Sequence, residues 1–313
     1  MLSRVADNLY WMSRYLERAE HTARLMGVHL NLMLEDEPNQ QGRRWSRVLE
    51  CLGSREHGST SDALATAESY ALDQILTSIT AARENARQVR EQISSEMWEE
   101  LNRLYHESKR LGTPQFFRDR PYDIAFTVIG SSHLFQGITD STMIHGEGWH
   151  FIQAGRFIER VQQTAKLIAS HFDAFYRSNA RETKAADSVE WIGLLRSCTA
   201  FEAYCKVYTA EMKPERVAEF LLLNAEFPHS VRFGVNRLRN ALDAVHQATA
   251  SRKSDRLAKL AGRLTSSLSY TPLDEIMSNL TGFSDGVRKL CGQIHAGIYQ
   301  LYITYPIEAA LEA

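Results

Sequence analysis

Proline and glycine are scarce in this 313-residue sequence, with 7 and 17 respectively. That favours long helices over many short strands and turns. Four cysteines, Cys51, Cys198, Cys205 and Cys291, form no C-x-x-C pair and have no metal-type spacing to histidine, so they read as scattered thiols of a reducing compartment, most simply as small buried hydrophobes. Charge of one sign is also missing, with 36 Lys+Arg against 38 Asp+Glu and a formal net charge of −2. Nothing global draws the chain to nucleic acid or to anionic lipid. No apolar run approaches the roughly 18 residues of a membrane span, and charges are spread through the first twenty residues, so a cytoplasmic address is expected. Nor is there a Gly-rich phosphate loop, a G-x-S-x-G, an H-E-x-x-H or a cysteine set up as a nucleophile.

What is present is helical periodicity almost throughout, on a length sufficient for a large core. The spacing predicts an all-α bundle of about ten to twelve helices, near residues 4–34, 43–53, 60–76, 77–111, 122–143, 148–178, 187–212, 214–224, 229–250, 252–268, 272–278 and 282–304. Pro228 and Pro272 stand where helices are expected to start. No connection is long enough to tether independent units, so one domain over 1–313 is expected.

Self-comparison adds a second signal. Arg14–Leu30 (RYLERAEHTARLMGVHL) aligns without gaps to Arg156–Phe172 (RFIERVQQTAKLIASHF), an offset of 142 residues, with Arg, Glu, Arg, Thr, Ala, Leu and a trailing His (His29, His171) identical. A Trp-led segment follows each copy (Trp45, Trp191), and then related text, Ala82–Val89 against Asn236–Val245. Two half-repeats, about 1–111 and 122–313, sharing one core are the expectation.

On a wheel of about 100° per residue, Met12, Tyr15, Leu16, Ala19, Thr22, Ala23 and Met26 form a core face, and Ser13, Glu20 and Arg24 a narrow strip free to meet water. The remaining arc interleaves Arg14, Glu17, Arg18 and His21 with Tyr10, Trp11, Leu25, Val28 and His29. That is too much apolar surface for a solvated face. The second copy repeats the arc with Arg156, Glu159, Arg160 and Gln163, while Gly155, Gln162 and Lys166 occupy its water-facing strip. The Arg and Glu side chains are therefore expected to be partly buried and paired, most simply Arg14 or Arg18 with Glu17 of the same helix, or with a partner across the bundle.

Three roles for these six residues stay open. They could be ionic locks fixing the register of two halves. They could line an inter-repeat cavity whose four arginines outnumber two glutamates and receive an acidic or peptidic ligand. They could also be acid and base residues of an enzyme, with carboxyl pKa values raised. His133, Gln136 and Asp140 share one side of the helix before the second copy and, with Trp11, are candidates for lining the same cavity. Glu147-x-x-His150 and Glu226-x-x-His229 match a spacing used in carboxylate-bridged metal bundles, but Gly146, Gly148 and Pro228 place them at helix starts, and no metal site is expected. The alternating Arg and Glu of Ala81–Leu111 read as a solvated, salt-bridged face.

RYLERAEHTARL, RENARQVREQISSEMWEELN, SSHLFQGITDSTM and EGWHFIQAGRFIERVQQTAKL, in this order, resemble the bacterial alpha-E family, helical proteins named for a recurrent Glu-Arg motif. Here that motif falls on Glu17-Arg18 and Glu159-Arg160, while His150 and Gln163 are positions where such sequences are expected to vary. The resemblance implies a setting of circularly permuted ATP-grasp ligases and transglutaminase-like proteases, a system that makes or trims amide-linked peptides. This chain shows no ATP-grasp strand elements, so the resemblance implies no directly bound cofactor, with ATP and Mg held by the partner.

Overall fold

The structure, a computed structural model, describes residues 1–34, 47–53, 62–176, 185–209, 211–249 and 255–304. Among these there is no strand. Two long helices organise the molecule, α1 (Ser3–Leu32) and α7 (Glu147–Phe175). Neither contains proline, and at about 1.5 Å per residue each is roughly 45 Å long. Between them lie α2 (47–52), α3 (Asp62–Gln88), α4 (Ser95–Leu111), α5 (Pro114–Asp119) and α6 (Pro121–Thr142). After α7 come α8 (Ala185–Ser197), α9 (Phe201–Tyr208), α10 (Pro214–Leu223), α11 (Val231–Thr249), α12 (Asp255–Tyr270), α13 (Leu273–Ser278) and α14 (Leu280–Ile298), closed by a π-helical turn, Tyr299–Ile303.

α1 and α7 run side by side and parallel, because Ser13 meets Ile152, Arg14 meets Glu159, and Leu25 and His29 share a pocket wall with Leu167 and His171. α3 packs along α1 and α11 along α7, with α6 and α8 on the α1 side and α14 on the α7 side. Each long helix thus lies against the helix that carries its related downstream text, Ala82–Val89 or Asn236–Val245. The buried apolar residues form one core running from Val5 to Ile298. Cys51, Cys198 and Cys291 are buried in it and Cys205 is partly buried.

Several expected boundaries move. The predicted break near 76 is absent: α3 runs through it, and the chain turns instead at Val89–Ser94, where a 3-10 turn precedes Ser94, whose hydroxyl accepts the Met97 N–H at 3.2 Å. The expected single helix over 187–212 breaks at Cys198–Ala200, where Thr199 takes a left-handed φ of 52°, a conformation costly for a β-branched residue. The expected connection at 112–121 contains α5, started by Pro114. Pro272 caps α13, whereas Pro228 lies three residues before α11, in the turn that carries its carbonyl to Arg160. Trp45 lies outside the described residues; Trp191 is buried against Phe172 and His171.

Candidate functional site

The site begins where α1 and α7 cross closest. At Gly155 an added Cβ would stand 2.2 Å from the Tyr10 carbonyl oxygen and 2.3 Å from Ser13 Oγ, so only glycine lets the backbones meet. Ser13 fastens the crossing by donating to the Ile152 carbonyl at 2.8 Å. Because the helices are parallel and nearly in register, each glutamate faces the arginines of the other helix. Glu17 accepts a fork of two bonds from Arg160, one of them at 2.9 Å, and lies 3.8 Å from Arg156 Nε. Glu159 accepts from Arg14 Nε at 2.8 Å and from Arg18 Nε at 2.7 Å. The exchange is reciprocal, since each carboxylate takes both arginines of the opposite Arg-x-x-Glu-Arg set. Arg14, Glu17, Glu159 and Arg160 are buried; Arg18 and Arg156 lie at the edges.

Neighbours complete the clasp. Gln136 accepts from Arg156 Nη2 at 2.5 Å and reaches Glu17 at 3.5 Å, while Arg160 Nη1 donates to the Pro228 carbonyl at 3.2 Å. Gln163 donates to Glu159 at 3.0 Å and Gln162 accepts from Arg14 at 3.3 Å. Arg14 stacks over Trp11, 4.6 Å from the ring centroid, and lies 3.2 Å from His295 Nδ1. Trp11 donates to the Tyr299 hydroxyl, which in turn donates to Asp7 at 2.8 Å, tying the π-helical turn to α1.

Burial alone would raise both carboxyl pKa values, but the facing guanidinium groups win. Glu17 is held below the carboxylate range by Arg160, then Arg156 and Arg24. Glu159 is brought down to about 2 by the Arg14 charge and the Arg18 hydrogen bond. Burial, reinforced by Arg160, lowers Arg156 to about 10. Burial and the surrounding arginines also keep nearby histidines neutral: His229 falls well below its ordinary value, and His295, beside Arg14, to about 4.

Two cavities touch the clasp. A small one of about 20 Å³, room for roughly one water, lies between Ser13, Glu17, Gln136, Ile152 and Arg156. A larger, open one of about 470 Å³ is lined by Arg18, Glu159, Gln162, Gln163, Lys166, Asp285, Arg288 and Lys289.

A family model described as a predicted alpha-helical domain with a conserved ER motif matches residues 1–303. The chain belongs to the Alpha-E family. Two Glu-Arg pairs, Glu17-Arg18 and Glu159-Arg160, are part of its clasp. Similar to it are uncharacterised proteins of Mycobacterium bovis and Mycobacterium tuberculosis, each 23% identical over 95% of this chain. The chain spans 35% of the length of these curated relatives. No solved structure matches.

In this Alpha-E chain the six expected residues converge in one network, but the four guanidinium groups do not surround one opening. Arg156 borders the small cavity and Arg18 the large one. Among the second group, Trp11 and Gln136 touch the clasp directly, His133 lies within 3.5 Å of the Glu20–Arg24 pair, and Asp140 accepts from Trp149 at 3.3 Å on the exposed rim. The expected water-facing strip is a correction. Ser13, Glu20, Arg24 and Gly155 are all buried, because α3, α6, α7 and α8 pack around α1, whereas Gln162 and Lys166 of the second copy are partly exposed. Glu20 and Arg24 form a further buried ion pair at i,i+4, legible in spacing but misread as solvated. His295, Tyr299 and the α14 cations come from nearly 300 residues away, with no local signal to announce them. The Ala81–Leu111 stretch does carry exposed pairs, Arg87 with Glu84 and Arg103 with Glu107. Among the described residues no three His, Cys, Asp or Glu side chains are grouped to hold a metal, and no helix is long and apolar enough to cross a membrane.

Proposed function

We propose that this Alpha-E chain is the helical binding partner of an ATP-grasp amide or peptide ligase, whose clasp fixes the two long helices and whose edge arginines meet an acidic or peptidic ligand. The observation that carries this reading is the imbalance within the clasp: two buried carboxylates are shared by four guanidinium groups, and Arg18 donates to Glu159 only through Nε while its side chain is 30% exposed. A cationic surplus at the edge of a dry network favours a bound anion. The exchange of partners between equivalent motifs supports reading α1 and α7 as copies of one ancestral helix, and the ionic-lock role is compatible with this, since inner pairs hold while outer residues bind.

The reading as an autonomous acid-base enzyme draws on carboxyl pKa values that are raised, and both glutamates are lowered instead. In the curated relatives most of the chain lies outside the matched region, which supports a unit whose chemistry is supplied from elsewhere. In the partner, ATP and Mg would do the activation; a transglutaminase-like protease is the second expected associate. The test is an ATP-dependent ligation assay with an ATP-grasp protein encoded beside a gene for this chain, each component omitted in turn. Product that requires both proteins is expected; equal product without the helical chain would overturn the proposal.

A further inference from the structure

We propose that the open pocket between α1, α7 and α14 is a binding site for a small, multiply charged oxyanion, a phosphoryl group or a dicarboxylate, held by Arg18, Lys166, Arg288 and Lys289. The site adjoins the clasp and shares Arg18 and Glu159 with it; it rests on the reading of Arg18 as an anion-binding edge residue but not on the ligase partnership. Its volume of about 470 Å³ exceeds what one simple ion fills and lies within the range of small-molecule sites. The pocket gathers Arg18 from α1, Lys166 from α7, and Arg288 and Lys289 from α14. Among the described residues two carboxylates line it, and both are engaged: Glu159 with Arg14 and Arg18, Asp285 with Arg288 at 2.9 Å. Glu50, near Lys166, adds an exposed third carboxylate outside the lining. Lys166 and Lys289 have no ion-pair partner among the described residues, and the terminal nitrogens of Arg18 make no hydrogen bond there.

Such an assembly repels itself in the absence of a counter-charge. Burial, with the Arg288 charge adding to it, lowers the pKa of Lys166, and a dianion would reverse that cost. The chemistry of the four cations is complementary. Arg18 offers a planar fork suited to two oxygens of one group, anchored from behind by Glu159 at 2.7 Å. The two ammonium groups supply point charges that tolerate several headgroup geometries. Gln162 and Gln163 also line the wall, and their side-chain amides can donate to oxygens that the cations leave uncovered.

The test is calorimetric titration of the full chain at low ionic strength with inorganic pyrophosphate and, separately, glutarate, which distinguish the phosphoryl from the dicarboxylate source. Saturable binding of one anion per chain is expected with at least one of them, weakening as salt is added. The double variant Lys166→Gln/Lys289→Gln, which leaves the clasp untouched, should retain its helical circular dichroism and lose affinity roughly tenfold or more. Lys109→Gln, on the exposed side of α4, should bind like the parent. No saturable heat from either anion up to about 10 mM, or a folded double variant that binds within about twofold of the parent, would overturn the assignment. Failure of the ligation assay alone would leave it standing.

Discussion

Replacing Glu17 with Gln removes one charge without opening a cavity, and the structure sets the consequence. Glu17 is 2% exposed and is the carboxylate between Arg160, Arg156 and, further off, Arg24. Neutralising it strands at least the 4% exposed Arg160 beside two other guanidinium groups. Breaking a buried pair from one side costs about 3–5 kcal/mol; the amide oxygen can still accept one bond, which places Glu17→Gln near about 3 kcal/mol. Out of a total stability of about 5–15 kcal/mol, that is a large fraction. Adding Arg160→Met removes the stranded charge, so the double variant should regain about 1 kcal/mol or more relative to Glu17→Gln alone. Urea denaturation followed by helical circular dichroism measures both, with Glu84→Gln in the exposed Arg87 pair as a control expected to show no measurable change. A loss below about 1 kcal/mol for Glu17→Gln, the worth of an exposed pair, would refute the buried clasp. A double variant no more stable than the single would refute Arg160 as its partner.

Gly155→Ala should destabilise by about 3 kcal/mol, the upper end for overpacking, because its Cβ meets a backbone carbonyl at 2.2 Å; a midpoint within error of the parent would contradict the close crossing. Acid should destabilise the protein by two routes of the same sign. His229 and His295 are neutral when folded but protonate near 6.5 when unfolded, so their contribution is lost as pH falls from about 6.5, through about 4 for His295. Glu17 and Glu159 are held below the unfolded value of 4.5, so their contribution, complete above that value, is lost as pH falls through it toward about 2 for Glu159. A urea midpoint that falls steadily from about pH 7 to about pH 4, with a shallower upper part in His295→Gln, is expected; a flat profile would contradict it. Arg156→Lys keeps a charge beside Glu17 at the cavity edge but loses the planar guanidinium that spans from Glu17 to its Nη2 bond with Gln136. It should weaken binding of an acidic peptide more than it lowers the melting temperature, and the reverse ranking would favour a purely structural role.

Much of this was legible in the residues. Helical periodicity with 7 prolines in 313 positions is a local property, and the all-α fold follows from it, including α1 and α7 to within about three residues at each end. The repeated Arg-x-x-Glu-Arg text, hemmed by Tyr10, Trp11 and Leu25, indicated burial and pairing, because charged side chains among large apolar ones must find counter-charges. Where boundaries failed, the deciding signal was weak or absent locally: Ser94 capping α4 inside an unbroken periodic run, and Thr199 held left-handed by its surroundings.

The wheel failed at Ser13, Glu20 and Arg24 for a different reason. A wheel assumes a helix with one wet side, and α1 is packed against by four other helices and the π-helical turn. By itself the sequence determined that the chain is helical, that it carries two like Arg-Glu helices, and that those charges are not ordinary surface. Only the tertiary structure decided that the helices run parallel, so that each glutamate is claimed by the other helix's arginines, and that α14 brings Arg288 and Lys289 to the edge of Arg18 and Lys166. Pairing partners and pockets depend on which surfaces meet across some 140 to 290 residues of chain, and no local spacing encodes that distance.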